Sequence, residues 1–306
     1  MSPLAIFTYN RPDHLNKCIQ SLKKNLLFKK TKFFIFQDSL KSYCSLTEAK
    51  YESLFKKLPG NFKIIKRKKN YGLKKNIMSG ITHVLSKYKT VIICEDDLIF
   101  HKDFIYYMNS MLKKYDKHKN ISSISGFSYA FKNQISHFPN EYLLSLTSSW
   151  GWATWRVYWN KFRKSNLSLK RNELFKDRKI QYNFDYDGAQ SHTLWLKRNS
   201  LNMISSWNIE WEFFNFVNSY LTLYPKMTLV ENIGFDGSGT HCLKTSYLFQ
   251  NINNKKRFKK NSKFFFNKIE ENPKIRKIVS KNINEGIIKK VLKKIFYFNL
   301  LSRVEK

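Results

Sequence analysis

The sequence predicts a doubly wound, mostly parallel α/β sheet flanked by helices. Three observations carry that expectation. Residues 4–8, 33–36, 62–65 and 91–94 are short apolar runs with the length and composition of buried strands. Three amphipathic stretches alternate with them, the chain order of parallel strands joined by crossover helices. Each run ends in a short polar segment, and parallel order would bring those segments to one rim of the sheet.

The first run, Leu4-Ala5-Ile6-Phe7-Thr8, is broken by Tyr9-Asn10-Arg11-Pro12-Asp13. Pro12 suits the first turn of a helix, because its missing N–H would have no partner there. Leu15, Cys18, Ile19 and Leu22 then recur at i, i+3, i+4 and i+7, one face of a helix. The second run ends at Gln37-Asp38. A helix is expected from Thr47, with Tyr51, Leu54, Phe55 and Leu58 inward and Pro59-Gly60 as its stop. The third run is followed by Asn70-Tyr71-Gly72 and a helix carrying Ile77, Ile81, Val84 and Leu85.

The fourth run leads straight into Glu95-Asp96-Asp97. Three adjacent carboxylates repel one another, and burying them unpaired is costly. A divalent cation with a diphosphate would relieve that repulsion, since hard cations prefer oxygen ligands. The plainer alternative is a solvated acidic turn. Beyond it, Phe104, Met108, Met111, Leu112 and Tyr115 mark another helix, and residues 121–125 a further strand. Residues 126–240 are less regular, and all seven tryptophans fall between 150 and 211. Most are expected in the core, although Trp and Tyr faces also suit the apolar faces of sugar rings. No internal repeat is visible.

Composition bounds the partners. The formal net charge is +34 and the pI about 9.9, which calls for an anionic partner: a sugar nucleotide, a membrane surface or nucleic acid. Abundant Lys, Asn, Phe and Ile with scarce Ala and Gly is also what AT-rich coding yields, so the charge weighs little toward nucleic acid. Cys18, Cys44, Cys94 and Cys242 form no CxxC pair, which argues against a zinc site or a disulfide framework. Cys18 and Cys94 are expected as core thiols. The N-terminus has no basic region followed by an apolar one, and no apolar run approaches the roughly 20 residues of a membrane span. A reduced, cytoplasmic setting is expected, with peripheral contact at the inner face of the cell membrane. Residues 251–306 support that contact, with seventeen Lys and Arg against four acids. Within them Ile287, Ile288, Val291, Leu292 and Ile295 alternate with lysines as in an interfacial helix. A helix docked on the domain with a solvated lysine face is the other reading.

The ordered set of segments resembles the GT-A glycosyltransferases, more narrowly N-acetylglucosaminyltransferase I and bacterial family 2 sugar transferases. The likeness rests on Cys94-Glu95-Asp96-Asp97-Leu98 followed by Asp103-Phe104, on Gln37-Asp38, on Ser149-Trp150-Gly151-Trp152, and on Asn232-Ile233-Gly234-Phe235-Asp236-Gly237-Ser238-Gly239-Thr240-His241. It covers about residues 3–242. It implies a GT-A domain over 1–250, with a nucleotide-sugar half (1–125) and an aromatic-rich acceptor half (126–250), then a basic helical tail (251–306).

The resemblance also implies roles. Arg11 and Asp38 would hold the nucleobase and ribose, and Asp96 the ribose or donor sugar. Asn70, Gly72 and Asn76 match a loop near the nucleotide, and Thr8, Asn10 and Glu95 complete the donor set. Asp97 would bind Mn²⁺ or Mg²⁺ bridging the diphosphate, with His241 completing the metal shell. The donor would be a sugar nucleotide, a UDP-sugar favoured, and the acceptor a saccharide or lipid-linked glycan. An inverting transferase also needs a carboxylate to take the acceptor proton. The relatives place it in a Trp-Asp segment, but here Trp207-Asn208-Ile209-Glu210-Trp211 has Asn208, which cannot be a base. Glu210 is the first candidate, Glu212 the second and Asp187 the third. Two rivals remain: a non-enzymatic basic binding module for nucleic acid or an acidic polymer, and a nucleotidyltransferase. The latter would want a stronger basic phosphate loop than the single Arg11.

Overall fold

A computed structural model describes residues 1–236, 252, 266 and 268–284. Its N-terminal part alternates as expected: β1 (Leu4–Thr8), α1 (Pro12–Lys23), β2 (Phe33–Gln37), α2 (Ser45–Lys56), β3 (Phe62–Lys66), α3 (Gly72–Lys87) and β4 (Thr90–Glu95). β1 pairs in parallel with both β2 and β4, and β2 with β3, giving the order β3-β2-β1-β4. Every residue of β1 and β2 is buried, which explains why these strands read as unbroken apolar runs. Leu15, Cys18, Ile19 and Leu22 are the buried face of α1, and Ile77, Ile81, Val84 and Leu85 that of α3. Cys18 and Cys94 are core thiols as expected.

The second part is more ordered than its sequence suggests. It contributes β5 (Leu98–Phe100), α4 (Phe104–Lys114), β6 (Ile121–Ser125), β7 (Glu141–Leu144), β8 (Trp152–Trp155) and α5 (Arg156–Lys164). Then follow α6 (Ser168–Lys176), α7 (Arg178–Phe184), α8 (His192–Ser200), α9 (Trp207–Val217), β9 (Leu221–Pro225), β10 (Val230–Asn232) and α10 (Pro273–Ile283). The described residues thus build an eight-stranded mixed sheet, β3-β2-β1-β4-β8-β6-β9-β7. β8 lies antiparallel between β4 and β6, so the sheet runs unbroken across residue 125. β5 and β10 form a separate antiparallel pair beside the acidic triplet.

Five of the seven tryptophans, 152, 155, 159, 207 and 211, are buried. Trp152 stacks on Trp207 at 5.5 Å, and Trp211 packs against Trp152, Trp159 and Phe162. Aromatic burial of this kind is worth several kcal/mol per side chain, of order 3–5 kcal/mol on truncation to Ala. It fixes α9 and α5 on the sheet. Helix starts follow local chemistry: Ser206 Oγ accepts the Ile209 amide, and Asn272 caps α10, which carries Pro273 at its first position. Among the described residues no helix is long and apolar enough to cross a membrane. The expected interfacial helix around 287–296 lies outside the described residues.

Candidate functional site

The rim formed by the C-terminal ends of β1, β2, β3 and β4 gathers most of the expected donor residues. Asp96 and Asp97 form the turn between β4 and β5, directly beyond Glu95. Asp96 is buried, and its Oδ2 accepts the Thr8 hydroxyl at 2.6 Å and the Tyr9 amide at 3.2 Å. Arg11 Nη1 donates to Asp97 Oδ2 at 3.2 Å. The neighbouring backbone turns to allow this: Asn10 sits in the left-handed region at φ 53°.

The triplet is therefore not a solvated turn: Asp96 is buried, and Glu95 and Asp97 are partly buried. Burial, reinforced by the neighbouring acids, pushes Glu95 up to about 8 and Asp96 up to about 7. Asp97 is raised by burial too, against the opposing pull of Arg11. Among the described residues Arg11 is paired directly with Asp97, and His14 adds positive charge nearby. Hard oxygen donors held this way fit a divalent cation. Among the described residues, however, no cluster of three or more His, Cys, Asp or Glu is arranged to hold a metal by itself. His241 lies outside the described residues.

Asp38 is also on the rim, where its two oxygens are taken by backbone. Oδ1 accepts the amides of Ser39 and Tyr71 at 3.0 and 2.8 Å, and Oδ2 that of Gly72 at 2.9 Å. It ties the end of β2 to the start of α3. Gly72 has φ +71°, a conformation side chains resist, and this presents its amide to the carboxylate. Asn70 donates to the Ser39 carbonyl at 2.6 Å. Asn76 is buried and accepts from Arg67 Nε at 2.9 Å, so it acts beneath the loop rather than at its surface.

A second strip of chain closes on Asp97. The Ile233 amide donates to the Asp97 carbonyl at 2.8 Å, and Gly234 packs against the carboxylate so closely that a Cβ there would collide with it. Phe235 meets Trp150 edge-on at 5.7 Å, and Trp150 meets Phe127 at 4.9 Å. Trp150 is only partly buried, and through Phe235 it joins the segment that closes on Asp97.

The three candidate bases have different surroundings. Glu210, in the first turn of α9, is about one-third exposed and accepts from Lys74 Nζ and Asn199 Nδ2, both on Oε1 and both at 2.8 Å. Lys74 belongs to the first turn of α3, next to Gly72 on the rim. Glu212 is buried and takes the Thr147 amide at 2.8 Å and the Thr147 hydroxyl. Asp187 is bound bidentately by Arg276 of α10, at 2.8–3.1 Å. These two anchor the β7–β8 connection and α10 respectively. Sequence reasoning did not single out Lys74, Asn199 or the Tyr51 hydroxyl. Their partners come from distant elements, and no local pattern marks them.

A model of the glycosyl transferase family 2 matches residues 4–182, more than half of the chain. The chain belongs to that family, and its mixed sheet flanked by helices is the GT-A fold. No curated protein matches it significantly. Among solved structures it is similar to the mannosyltransferase PcManGT from Pyrobaculum calidifontis in complex with GDP-Man and Mn²⁺, at 9% identity. That match covers 51% of this chain and 44% of the other, with a TM-score of 0.38. GalNAc-T7 with UDP, GalNAc and Mn²⁺ is similar over 76% of this chain and 43% of its own, at 12% identity and a TM-score of 0.47. TarS residues 1–349 of S. aureus in complex with UDP is similar over 40% and 34%, at 16% identity and 0.32. The matched region is less than half the length of each of these proteins.

Proposed function

We propose that the chain transfers a sugar, hexosyl or N-acetylhexosaminyl, from a nucleotide-sugar donor to a saccharide or lipid-linked glycan. The observation that carries this reading is the acidic triplet on the rim of a family 2 domain, with Asp96 buried, Glu95 and Asp97 partly buried, and Arg11 paired with Asp97. In this reading residues 1–125 bind the donor and residues 126–250 the acceptor, with Trp150 and Phe235 as apolar walls for a sugar ring. Asp96 binds a hydroxyl of the nucleoside or donor sugar. Asp38 acts on the nucleoside through the Tyr71-Gly72 backbone that it holds. A UDP-sugar is the favoured donor.

Asp97, with His241, would hold Mn²⁺ or Mg²⁺ together with the diphosphate oxygens of the donor. When bound, the ion would neutralise charge developing on the leaving diphosphate. Arg11 supports the same charge from the protein side.

Glu210 is the base of an inverting reaction. It is the candidate carboxylate that is both partly exposed and on the rim, and its Oε2 has no partner among the described residues. Lys74 and Asn199 fix its position. A base so held can take the acceptor proton as the hydroxyl attacks the anomeric carbon. The basic tail keeps the enzyme at an anionic membrane surface. Removal of residues 285–306 should lower co-sedimentation with anionic vesicles and leave transfer to a soluble acceptor.

Thermal shift with UDP- and GDP-sugars and Mn²⁺ tests the central reading, because a true donor stabilises by mass action. Asp97→Ala should lose the Mn²⁺-dependent shift while staying folded. A basic nucleic-acid module predicts instead a steep salt dependence of polyanion binding and indifference to Asp97→Ala.

A further inference from the structure

We infer that Tyr51, on α2, is a positioning residue of the donor site, which acts through Thr8 to set which oxygen of Asp96 faces the nucleotide. The inference rests on the donor-binding reading above.

Thr8 Oγ1 has a single hydrogen, and it is donated to Asp96 Oδ2 at 2.6 Å. The Tyr51 hydroxyl lies 2.8 Å from the same Thr8 oxygen. With the Thr8 hydrogen spent, Tyr51 must be the donor there. Its own oxygen accepts the Arg11 amide at 3.0 Å. The chain therefore runs one way: Arg11 N–H to Tyr51 O–H to Thr8 O–H to the Asp96 carboxylate. Serial hydrogen bonds of this kind polarise one another in a buried setting.

This order has two consequences for the site. The protein's bonds to Asp96 from Thr8 and Tyr9 both fall on Oδ2. Among the described residues Oδ1 has no partner, so that oxygen is left for a ligand hydroxyl. The same Tyr51 hydroxyl fixes the backbone of Arg11, whose guanidinium pairs with Asp97. One phenol thus sets the geometry of both acids. The position of that phenol is in turn set by packing: Tyr51 is fully buried, and its ring lies 5.7 Å from that of Phe55 one turn along α2. Burial also holds its hydroxyl well above the ordinary tyrosine range, so it stays a donor at any working pH.

The test is calorimetric titration of UDP and of GDP, each with Mn²⁺, into the wild type, Tyr51→Phe, Thr8→Val and Thr8→Ser, with thermal unfolding measured alongside. Tyr51→Phe keeps the ring and should bind the nucleotide roughly tenfold more weakly, the effect of one lost buried hydrogen bond. Thr8→Val should weaken binding similarly, the double variant should fall short of the product of the two, and Thr8→Ser should restore most of the affinity. In turnover the donor KM should rise with little change in kcat. A residue that only packs α2 would lower the unfolding midpoint and leave affinity untouched. A folded Tyr51→Phe with affinity within about twofold of wild type overturns the inference and leaves the transferase reading standing. If Tyr51→Phe does not fold, wild-type affinity in Thr8→Val overturns it equally. A wild type that binds neither nucleotide removes the donor-site reading, and this inference with it.

Discussion

Asp38 holds Gly72 by its backbone, with the Gly72 amide 2.9 Å from Asp38 Oδ2 and the Tyr71 amide 2.8 Å from Oδ1. A carboxylate at the end of β2 thereby sets the course of the chain into α3. Asp38→Ala leaves these amides unpartnered, at about 1–3 kcal/mol of stability. It should also weaken donor binding more than it changes acceptor preference, which paired donor and acceptor titrations would read. A change confined to acceptor affinity would place Asp38 outside the donor site.

Gly234 is where a methyl group should be costly. A Cβ there collides with the Asp97 carboxylate, whereas Gly60 has nothing within 4 Å. Gly234→Ala should lower activity at least tenfold through displacement of Asp97, and Gly60→Ala should leave it unchanged. Equal activities in the two variants would show that the 232–236 segment yields freely and does not hold the acid in place.

Glu210→Gln retains the shape of the base and removes its basicity. It should cut turnover by roughly 10²-fold or more with donor affinity little changed. Lys74→Met should lower kcat, because the lysine holds the carboxylate in place at 2.8 Å. Normal turnover in Glu210→Gln, with Glu212→Gln or Asp187→Asn dead yet folded, would move the base elsewhere.

Glu212 gives a pH signature of stability instead. Burial holds its carboxyl above the usual range, against the opposing effects of His192 and the Thr147 bonds. The native chain therefore keeps a proton that the unfolded chain has released, from the ordinary glutamate value of 4.5 up to the raised one. Stability contributed by this group falls as pH rises through that window. Urea midpoints measured between pH 4.5 and 7.5 should decline more steeply for the wild type than for Glu212→Gln. Glu95 and Asp96 act with the same sign but are present in both proteins, so the difference isolates Glu212. Parallel slopes would mean that Glu212 is ionised throughout.

The rim was legible because parallel order follows from alternating strand and helix patterns, and Glu95-Asp96-Asp97 interrupts an apolar run conspicuously. β8 was not legible. Trp152-Ala153-Thr154-Trp155 is buried on both faces, which erases the alternation that marks an antiparallel strand. β5 and β10 are three residues each, too short to carry a period. Glu210 ranked ahead of Glu212 in sequence, but both adjoin Trp211, so the sequence did not show which of the two is buried. Residues two apart on a helix point to opposite sides, and packing alone decides that Glu212 faces the core and Glu210 the rim. Tyr51 was legible as an inward residue, but its hydroxyl partners, Thr8 and Arg11, come from other elements.

The place of β8 bears on how the chain is made. β4 needs a neighbour on its far side, and that neighbour is residues 152–155, synthesised well after β4 itself. At ordinary translation rates the wait is roughly 3–12 s. During that interval the nascent β3-β2-β1-β4 unit presents a raw, apolar strand edge. Val91, Ile92, Ile93 and Cys94 along it are an open template for pairing with another chain. Release of a chain stopped near residue 125 should therefore yield aggregates, not a free-standing nucleotide-binding module, and chaperone capture during synthesis should peak between the emergence of β4 and that of Trp155.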